Sequence, residues 1–149
     1  MNIYQVSRIV FIAVIYLVLT LAFAPLSYGP IQVRFAEALT ILPYLIPEGI
    51  WGLFLGCLLA NFFSWLGPLD LIFGSLATLA AAILTRKMPH PFLAPLPPVL
   101  INAVVVAAIL KYVLGHPFLL SMLYIGGGEL LACYFLGLPL LFALRKIIK

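Results

Sequence analysis

The sequence has few charged residues. Of its 149 residues, 8% are charged and 66% are hydrophobic, and the mean hydropathy is +1.27. A soluble domain of this length needs charge on about a quarter of its residues to form a surface, so a soluble globular protein is excluded. Apolar runs of about 20 residues fit a hydrocarbon core ~30 Å thick. The composition therefore predicts an all-α integral membrane protein, with room for about five or six spans and no sizeable soluble domain.

The sequence also lacks the motifs of metal, redox and nucleotide chemistry. Its two cysteines, Cys57 and Cys133, stand singly in apolar runs, where a thiol behaves as a small apolar side chain. There is no CxxC or metal-ligand spacing, no nucleophile with a paired base and no phosphate-binding glycine loop. We therefore expect no cofactor, no metal and no enzymatic activity. If the protein transports a molecule actively, the energy must come from another protein.

The net charge of +4 does not indicate a nucleic-acid partner. The basic residues cluster in one connection between apolar runs and at the end of the sequence, as cytoplasmic anchors do under the positive-inside rule. We therefore predict that both termini are cytoplasmic. Alternating spans then leave Arg34 and Lys111 outside and place Arg8, Arg86, Lys87, Arg145, Lys146 and Lys149 inside.

Proline, glycine and charged residues divide the chain into six predicted helices within a single transmembrane domain, residues 1–149. The second helix is too short to cross the bilayer at about 1.5 Å per residue. We expect it to be tilted, partial or continued into the third through Pro43 and Pro47. No internal repeat indicates an inverted-repeat transporter. The predicted bounds are near 6–24, 35–46, 48–66, 69–85, 97–114 and 117–144.

Two polar residues are predicted at the same depth in the membrane. Glu129 and Asn102 each lie about 12 residues, or ~18 Å, below the outer end of their helices. A carboxylate at that depth marks a ligand or ion path by default, and small neighbours such as Ala132 favour an inward, closely packed face. A carboxylate beside a carboxamide suits the edge of a heterocyclic base or an amide. The alternative is that both side chains only join helices by hydrogen bonds.

A polar segment at 28–37 connects the first two predicted helices and carries Gln32, Arg34 and Glu37. Arg34 and Glu37 are three residues apart, so they are predicted to share one side of a helical turn. A polar, structured segment between two apolar spans suggests a binding site near the membrane surface.

Other candidates lie around the predicted third helix. Asn61 is about 7 Å below its outer end and Trp65 is one turn above, so the two offer a hydrogen bond and a stacking face. A tryptophan at this level is more often an interfacial anchor. Asp70 either caps the fourth helix or contacts the ligand. Glu48 begins the third helix as a first-turn acid and is assigned no site role.

Small residues recur at every fourth position of the third helix, at Gly52, Gly56 and Ala60. Such a stripe permits close approach of another helix. We expect it to serve packing within the protein, and a docking surface for a second membrane protein is the alternative.

An ordered set of motifs extends along nearly the whole chain. It comprises FAPLSYGPIQVR at 23–34, Glu37-Ala38-Leu39-Thr40, Leu42-Pro43, Ile50-Trp51-Gly52-Leu53, Gly56-Cys57, Ala60-Asn61, Asp70, Phe73-Gly74-Ser75-Leu76-Ala77-Thr78-Leu79, Pro95-Leu96-Pro97-Pro98-Val99, Asn102-Ala103, Gly128-Glu129, Cys133-Tyr134 and Leu136-Gly137. Together these motifs resemble the QueT family of substrate-binding S components of energy-coupling factor transporters.

This resemblance implies a six-helix S-component bundle, with a short or tilted second helix, that spans the plasma membrane of a prokaryote several times. Such a protein captures a queuosine precursor from outside, a 7-deazaguanine such as its aminomethyl or cyano form. It then joins a transmembrane coupling protein and two ATPases, whose hydrolysis of ATP drives release inward. The missing energy motif is thereby explained.

On such a substrate, Glu129 is expected to accept hydrogen bonds from the amidine edge of the base, and Asn102 or Asn61 to complete its recognition. Glu37 is expected to pair an exocyclic amine, and Arg34 to shape a lid. The remaining predicted contacts are Gln32, Trp65 and Asp70.

Two alternatives remain open at this point. One is an S component for another vitamin or nucleobase, and the other is a small membrane scaffold or assembly protein. A transporter is expected to have an outward-opening pocket lined by Glu129 and Asn102, whereas a scaffold is expected to fill that space with side chains.

Overall fold

The computed structural model describes residues 2–28 and 33–148, which form six main helices and no strand. The predicted all-α membrane fold is confirmed. The helices are α1 (Ile3–Ala22), α2 (Phe35–Leu45), α3 (Glu48–Asn61), α4 (70–86), α5 (Leu96–Leu114) and α6 (Phe118–Ile147).

Three of these helices depart from regular α geometry close to polar residues. Helix α2 is a 3-10 helix over Phe35–Ile41 and becomes α-helical only over Leu42–Leu45. Helix α4 begins with a π-helical turn at Asp70–Gly74, and α6 contains a second one at Leu131–Gly137. Short π-helical segments are frequent at functional sites because they shift the side chains that follow.

The helix ends follow local chemistry. Asn2 and Gln5 form a reciprocal capping box at the start of α1, each side chain bonding the other's backbone N–H. Gly115 ends α5 in the left-handed region at φ +70, where a residue without Cβ is favoured. Helix α3 ends at Asn61, five residues earlier than the predicted 66, and a non-helical connection at 62–67 leads into α4.

The helices pack in sequence around a closed bundle. Helix α1 packs on α3, α3 on α4, α4 on α5, and α5 on α6. The 3-10 part of α2 lies against the π-helical segment of α6 and against α1. Helix α2 therefore lies between the first and last helices, and its short length is compatible with an interior position.

The small-residue stripe on α3 is used inside the bundle. A Cβ added to Gly52 would lie 2.7 Å from Cβ of Ile12, and one added to Gly56 would lie 2.8 Å from Cβ of Tyr16. Real Cβ atoms do not approach this closely, so the glycines are what allows α1 to pack tightly on α3. The stripe serves internal packing, as expected.

Three helices in the described part of the chain are long and apolar enough to cross a membrane: Ile3–Ala22, the segment Pro91–Leu114 that contains α5, and Phe118–Ile147. Large apolar side chains such as Phe11, Val14 and Val18 lie exposed along α1. Such a surface fits hydrocarbon surroundings better than water. The side of the membrane on which each terminus lies stays a prediction.

Two basic side chains hold the end of the bundle opposite Asn61. Arg86, at the end of α4, donates to the carbonyls of Pro43 and Tyr44 at 3.1 and 3.3 Å. Arg8 on α1 forms an ion pair with Glu48 at 3.4 Å. Glu48 is the first residue of α3, in agreement with its predicted place as a first-turn acid.

Candidate functional site

Three of the predicted site residues meet in one hydrogen-bonded cluster. The amide nitrogen Nδ2 of Asn102 donates to Oε2 of Glu37 at 3.3 Å and to Oε1 of Glu129 at 3.4 Å. All three side chains are buried. The contact between Asn102 and Glu129, predicted from their equal depth, is present. We refer to Glu37, Asn102 and Glu129 as the acidic centre.

The position of Glu37 differs from the expected one. It was predicted near the membrane surface, on the same side of a turn as Arg34, but its side chain is fully buried and bonded to Asn102. The reason is the 3-10 helix of α2, which lies between α1 and α6 and turns Glu37 inward. Glu37 therefore belongs to the same centre as Glu129.

Tyr16 was not predicted as part of the site, although it contacts the acidic centre directly. Its hydroxyl donates a hydrogen bond to Oε1 of Glu37, and its side chain has no exposed surface. It is one of several aromatic residues in an apolar helix, and nothing in its local sequence distinguishes it. The one feature that marks Tyr16 is its position opposite Gly56, whose lack of a side chain makes room for the tyrosine.

Two further side chains contact the backbone carbonyl of Glu37. The hydroxyl of Thr40 donates to the Glu37 carbonyl at 2.5 Å, and the thiol of Cys133 lies 3.5 Å from the same oxygen. The same thiol is 3.6 Å from Oε2 of Glu129, one helical turn away. Cys133 lies in the π-helical segment of α6, so that segment places a weak donor beside the Glu37 backbone carbonyl and the Glu129 carboxylate.

Arg34, Asn61 and Asp70 form a separate buried group. The guanidinium nitrogen Nη2 of Arg34 lies 3.6 Å from Oδ2 of Asp70, and Nε donates to the Ser27 carbonyl at 3.2 Å. Asn61 donates to the backbone carbonyl of Asp70 at 3.1 Å. A Cβ on Gly74 would lie 2.5 Å from Oδ1 of Asp70, so this glycine leaves room for the carboxylate. We call Arg34, Asn61 and Asp70 the Arg34 cluster.

Polar atoms of the Arg34 cluster are incompletely bonded. Nη2 of Arg34, both carboxylate oxygens of Asp70 and Oδ1 of Asn61 are buried and have no hydrogen-bond partner within the described residues. The prediction that Asp70 caps α4 is wrong, since α4 begins with no side-chain capping bond. The π-helical turn at Asp70–Gly74 instead places the carboxylate beside Arg34.

The aromatic residues Tyr28 and Trp65 lie next to the Arg34 cluster. The guanidinium carbon of Arg34 is 5.4 Å from the centre of the Tyr28 ring, and the indole N–H of Trp65 donates to the Tyr28 carbonyl at 2.9 Å. Trp65 remains 57% exposed, so this hydrogen bond ties a largely exposed indole to the loop. The structure does not bring Trp65 into contact with the acidic centre, and Gln32 lies outside the described residues.

The acidic centre offers a chemically defined binding set. It presents two carboxylates, which only accept hydrogen bonds, and one carboxamide, which donates and accepts. A ligand rich in N–H groups matches such a set. Within the described residues, no group of three or more His, Cys, Asp or Glu side chains is placed to hold a metal ion.

The space between the two glutamates is filled by Asn102. A ligand that enters must therefore displace the carboxamide from at least one carboxylate. Several grooves on the outside of the bundle are lined by other side chains; one of about 510 Å³ lies between α4 and α5. It is lined by Leu69, Phe73, Val104, Val105, Ala108, Ile109 and Tyr112.

Comparison with known proteins gives two matches. The family model described as QueT transporter matches residues 6–146. The chain is also 35% identical over 80 residues to the queuosine precursor transporter QueT of Lactococcus lactis subsp. cremoris (strain MG1363). That alignment covers 51% of this chain and 46% of the relative, so the chain spans about half the length of the relative. No solved structure matches the chain.

Proposed function

Because the chain belongs to the QueT transporter family, we propose that it is a substrate-specific membrane subunit that captures a queuosine precursor of the 7-deazaguanine type from outside the cell. The observation that carries the proposal is the acidic centre: two carboxylates joined by one carboxamide, all buried in an apolar bundle. Polar groups buried in a membrane bundle are costly and are commonly retained for ligand or ion binding.

The chemistry of the acidic centre fits the base. A guanine-like ring presents N–H donors along its amidine edge and a carbonyl acceptor next to them. Glu129 accepts hydrogen bonds from the N–H donors, and Asn102 donates to the carbonyl once its amide leaves the carboxylates. Glu37 receives a donor on the opposite side of the ligand, and Tyr16 fixes its orientation.

The Arg34 cluster has a different part in this proposal. Its members contact one another and the loop carrying Ser27 and Tyr28, and none hydrogen-bonds the acidic centre among the described residues. In this proposal, the Arg34 cluster shapes the rim of the binding site. A ligand that brings polar atoms to this rim would satisfy the unbonded oxygens of Asp70 and Asn61. Contacts by Trp65 and Gln32 remain part of the same proposal.

A membrane scaffold is the competing function, and one observation favours it. Asn102 fills the space between the glutamates, as expected of a protein whose polar residues only join helices. Membership of a transporter family weighs against a scaffold, and in a transporter the amide of Asn102 moves aside to admit the ligand. Another S-component ligand of similar hydrogen-bonding pattern is the alternative within transport.

Uptake in this proposal is driven by ATP. The whole chain, residues 1–149, acts as one multi-pass domain with cytoplasmic termini in the plasma membrane of a prokaryote. It joins an energy-coupling module of a transmembrane coupling protein and two ATPases. Purification of the tagged chain from its own membranes in mild detergent is expected to recover all three proteins. Absence of the ATPases from this preparation would contradict the coupling.

The binding function has a direct test. Mass spectrometry of small molecules released from the purified protein is expected to detect a 7-deazaguanine derivative. Calorimetric titration with that compound is expected to give at least about fivefold weaker binding for Glu129→Gln and Asn102→Ala, because each loses a buried hydrogen bond worth about 1–3 kcal/mol. Glu48→Gln is the matched control, because Glu48 bonds Arg8 at the start of α3 and is not part of the acidic centre. Unchanged affinity in both centre variants would contradict the site.

A further inference from the structure

The buried charged side chains are mostly acidic, whereas the whole chain has more basic than acidic residues. The sequence has eight basic and four acidic residues. All four acids are nevertheless buried: Glu48 is paired with Arg8, and Glu37, Asp70 and Glu129 lie in the acidic centre and the Arg34 cluster. Among the basic side chains of residues 2–28 and 33–148, Arg34 alone is buried. The acidic centre and the Arg34 cluster together thus hold one cation for three carboxylates.

That single cation is already engaged by Asp70. Arg34 lies 3.6 Å from the Asp70 carboxylate and donates from Nε to the Ser27 carbonyl. Within the described residues, neither Glu37 nor Glu129 lies within 4 Å of a cationic nitrogen. Their partners are neutral donors: the amide of Asn102, the phenol of Tyr16 and the thiol of Cys133.

A pair of carboxylates held only by neutral donors favours a ligand that brings positive charge. Buried carboxylates are costly unless they are paired, and a cationic donor adds to the hydrogen bond a Coulomb attraction that a neutral donor lacks. We propose that the acidic centre selects a cationic ligand, a heterocyclic base carrying an alkylammonium group, over neutral bases of the same shape. This inference rests on the proposed function, and it identifies which form of the 7-deazaguanine is taken up.

The geometry assigns the counter-ion role to Glu37. Its Oε1 is held by Tyr16, whereas its Oε2 accepts a hydrogen bond from the amide of Asn102 at 3.3 Å and from no other side chain among residues 2–28 and 33–148. An ammonium group can replace that amide on Oε2 without disturbing the Tyr16 contact. The freed amide then turns to the base, whose N–H edge faces Glu129. Tyr16 is a positioning residue in this arrangement, and Glu37 determines specificity.

Three ligands distinguish charge from shape: 7-aminomethyl-7-deazaguanine, 7-cyano-7-deazaguanine and 7-methyl-7-deazaguanine. Only the first is cationic at neutral pH, because an alkylamine holds its proton to about pH 10. Titration of the wild-type protein at pH 7 is expected to show the aminomethyl compound binding at least tenfold tighter than both neutral compounds. Glu37→Gln is expected to remove this preference. The affinity for the aminomethyl compound is expected to fall at least tenfold, and that for the cyano compound less than threefold.

A control variant and the results that would overturn the charge selection complete this test. Glu48→Gln removes the fourth acid, outside the site, and is expected to leave the preference unchanged. Equal binding of all three compounds by the wild type, or tighter binding of the cyano compound, overturns the charge selection and leaves the proposed function standing. Binding of none of them overturns both. The wild-type comparison requires no variant, so misfolding of Glu37→Gln does not affect it.

Discussion

The hydroxyl of Tyr16 donates a hydrogen bond to Oε1 of Glu37, and this contact joins α1 to α2 at the acidic centre. Tyr16→Phe keeps the ring and removes the donor, which leaves a buried carboxylate oxygen without its partner. Such a loss costs about 1–3 kcal/mol, so we expect affinity for 7-aminomethyl-7-deazaguanine to fall at least about fivefold, measured by calorimetry. Tyr4→Phe on the exposed face of α1 is the control, and an equal effect there would argue against a specific role for Tyr16.

Gly56 is expected to tolerate no side chain. A Cβ at this position lies 2.8 Å from Cβ of Tyr16 and 2.9 Å from the Ala13 carbonyl, so Gly56→Ala forces α1 away from α3. We expect a loss of about 1–3 kcal/mol of stability, read as a lower thermal unfolding midpoint in detergent. Gly127→Ala, where the added Cβ meets nothing within 4 Å, is expected to leave the midpoint unchanged or raise it. Equal midpoints for the two variants would contradict the packing argument.

The two ion pairs seen in the described part of the chain are expected to differ in strength. Asp70→Asn leaves the buried guanidinium of Arg34 without its counter-ion, which costs about 3–5 kcal/mol when a buried pair loses one partner. Glu48→Gln breaks the pair between the buried Glu48 and Arg8, whose side chain is 59% exposed, and is expected to cost less than Asp70→Asn because water solvates the released guanidinium. Thermal unfolding of both variants measures the difference. Similar losses would show that the Asp70 pair is not a buried structural contact.

The sequence predicted the all-α membrane fold and the contact between Asn102 and Glu129. Both depend on the regular rise of an α-helix, because the number of residues along a span gives the depth of each side chain. The predicted helix ends differ from the observed ones by a few residues where turns replace helix, as after Asn61.

Other features of the site depend on irregular geometry. Glu37 faces the acidic centre because α2 begins as a 3-10 helix, and Asp70 meets Arg34 because α4 begins with a π-helical turn. Neither irregularity has a strong sequence signal. Tyr16 was missed for a different reason, since its role depends on the packing of α1 against the glycines of α3.

The structure of the protein with 7-aminomethyl-7-deazaguanine bound tests the central claim most directly. The account predicts ligand density between Glu37 and Glu129, with the amide of Asn102 moved off Oε2 of Glu37 and onto the base. Density in the outer groove lined by Phe73 and Tyr112, with Asn102 still bonded to both glutamates, would contradict it.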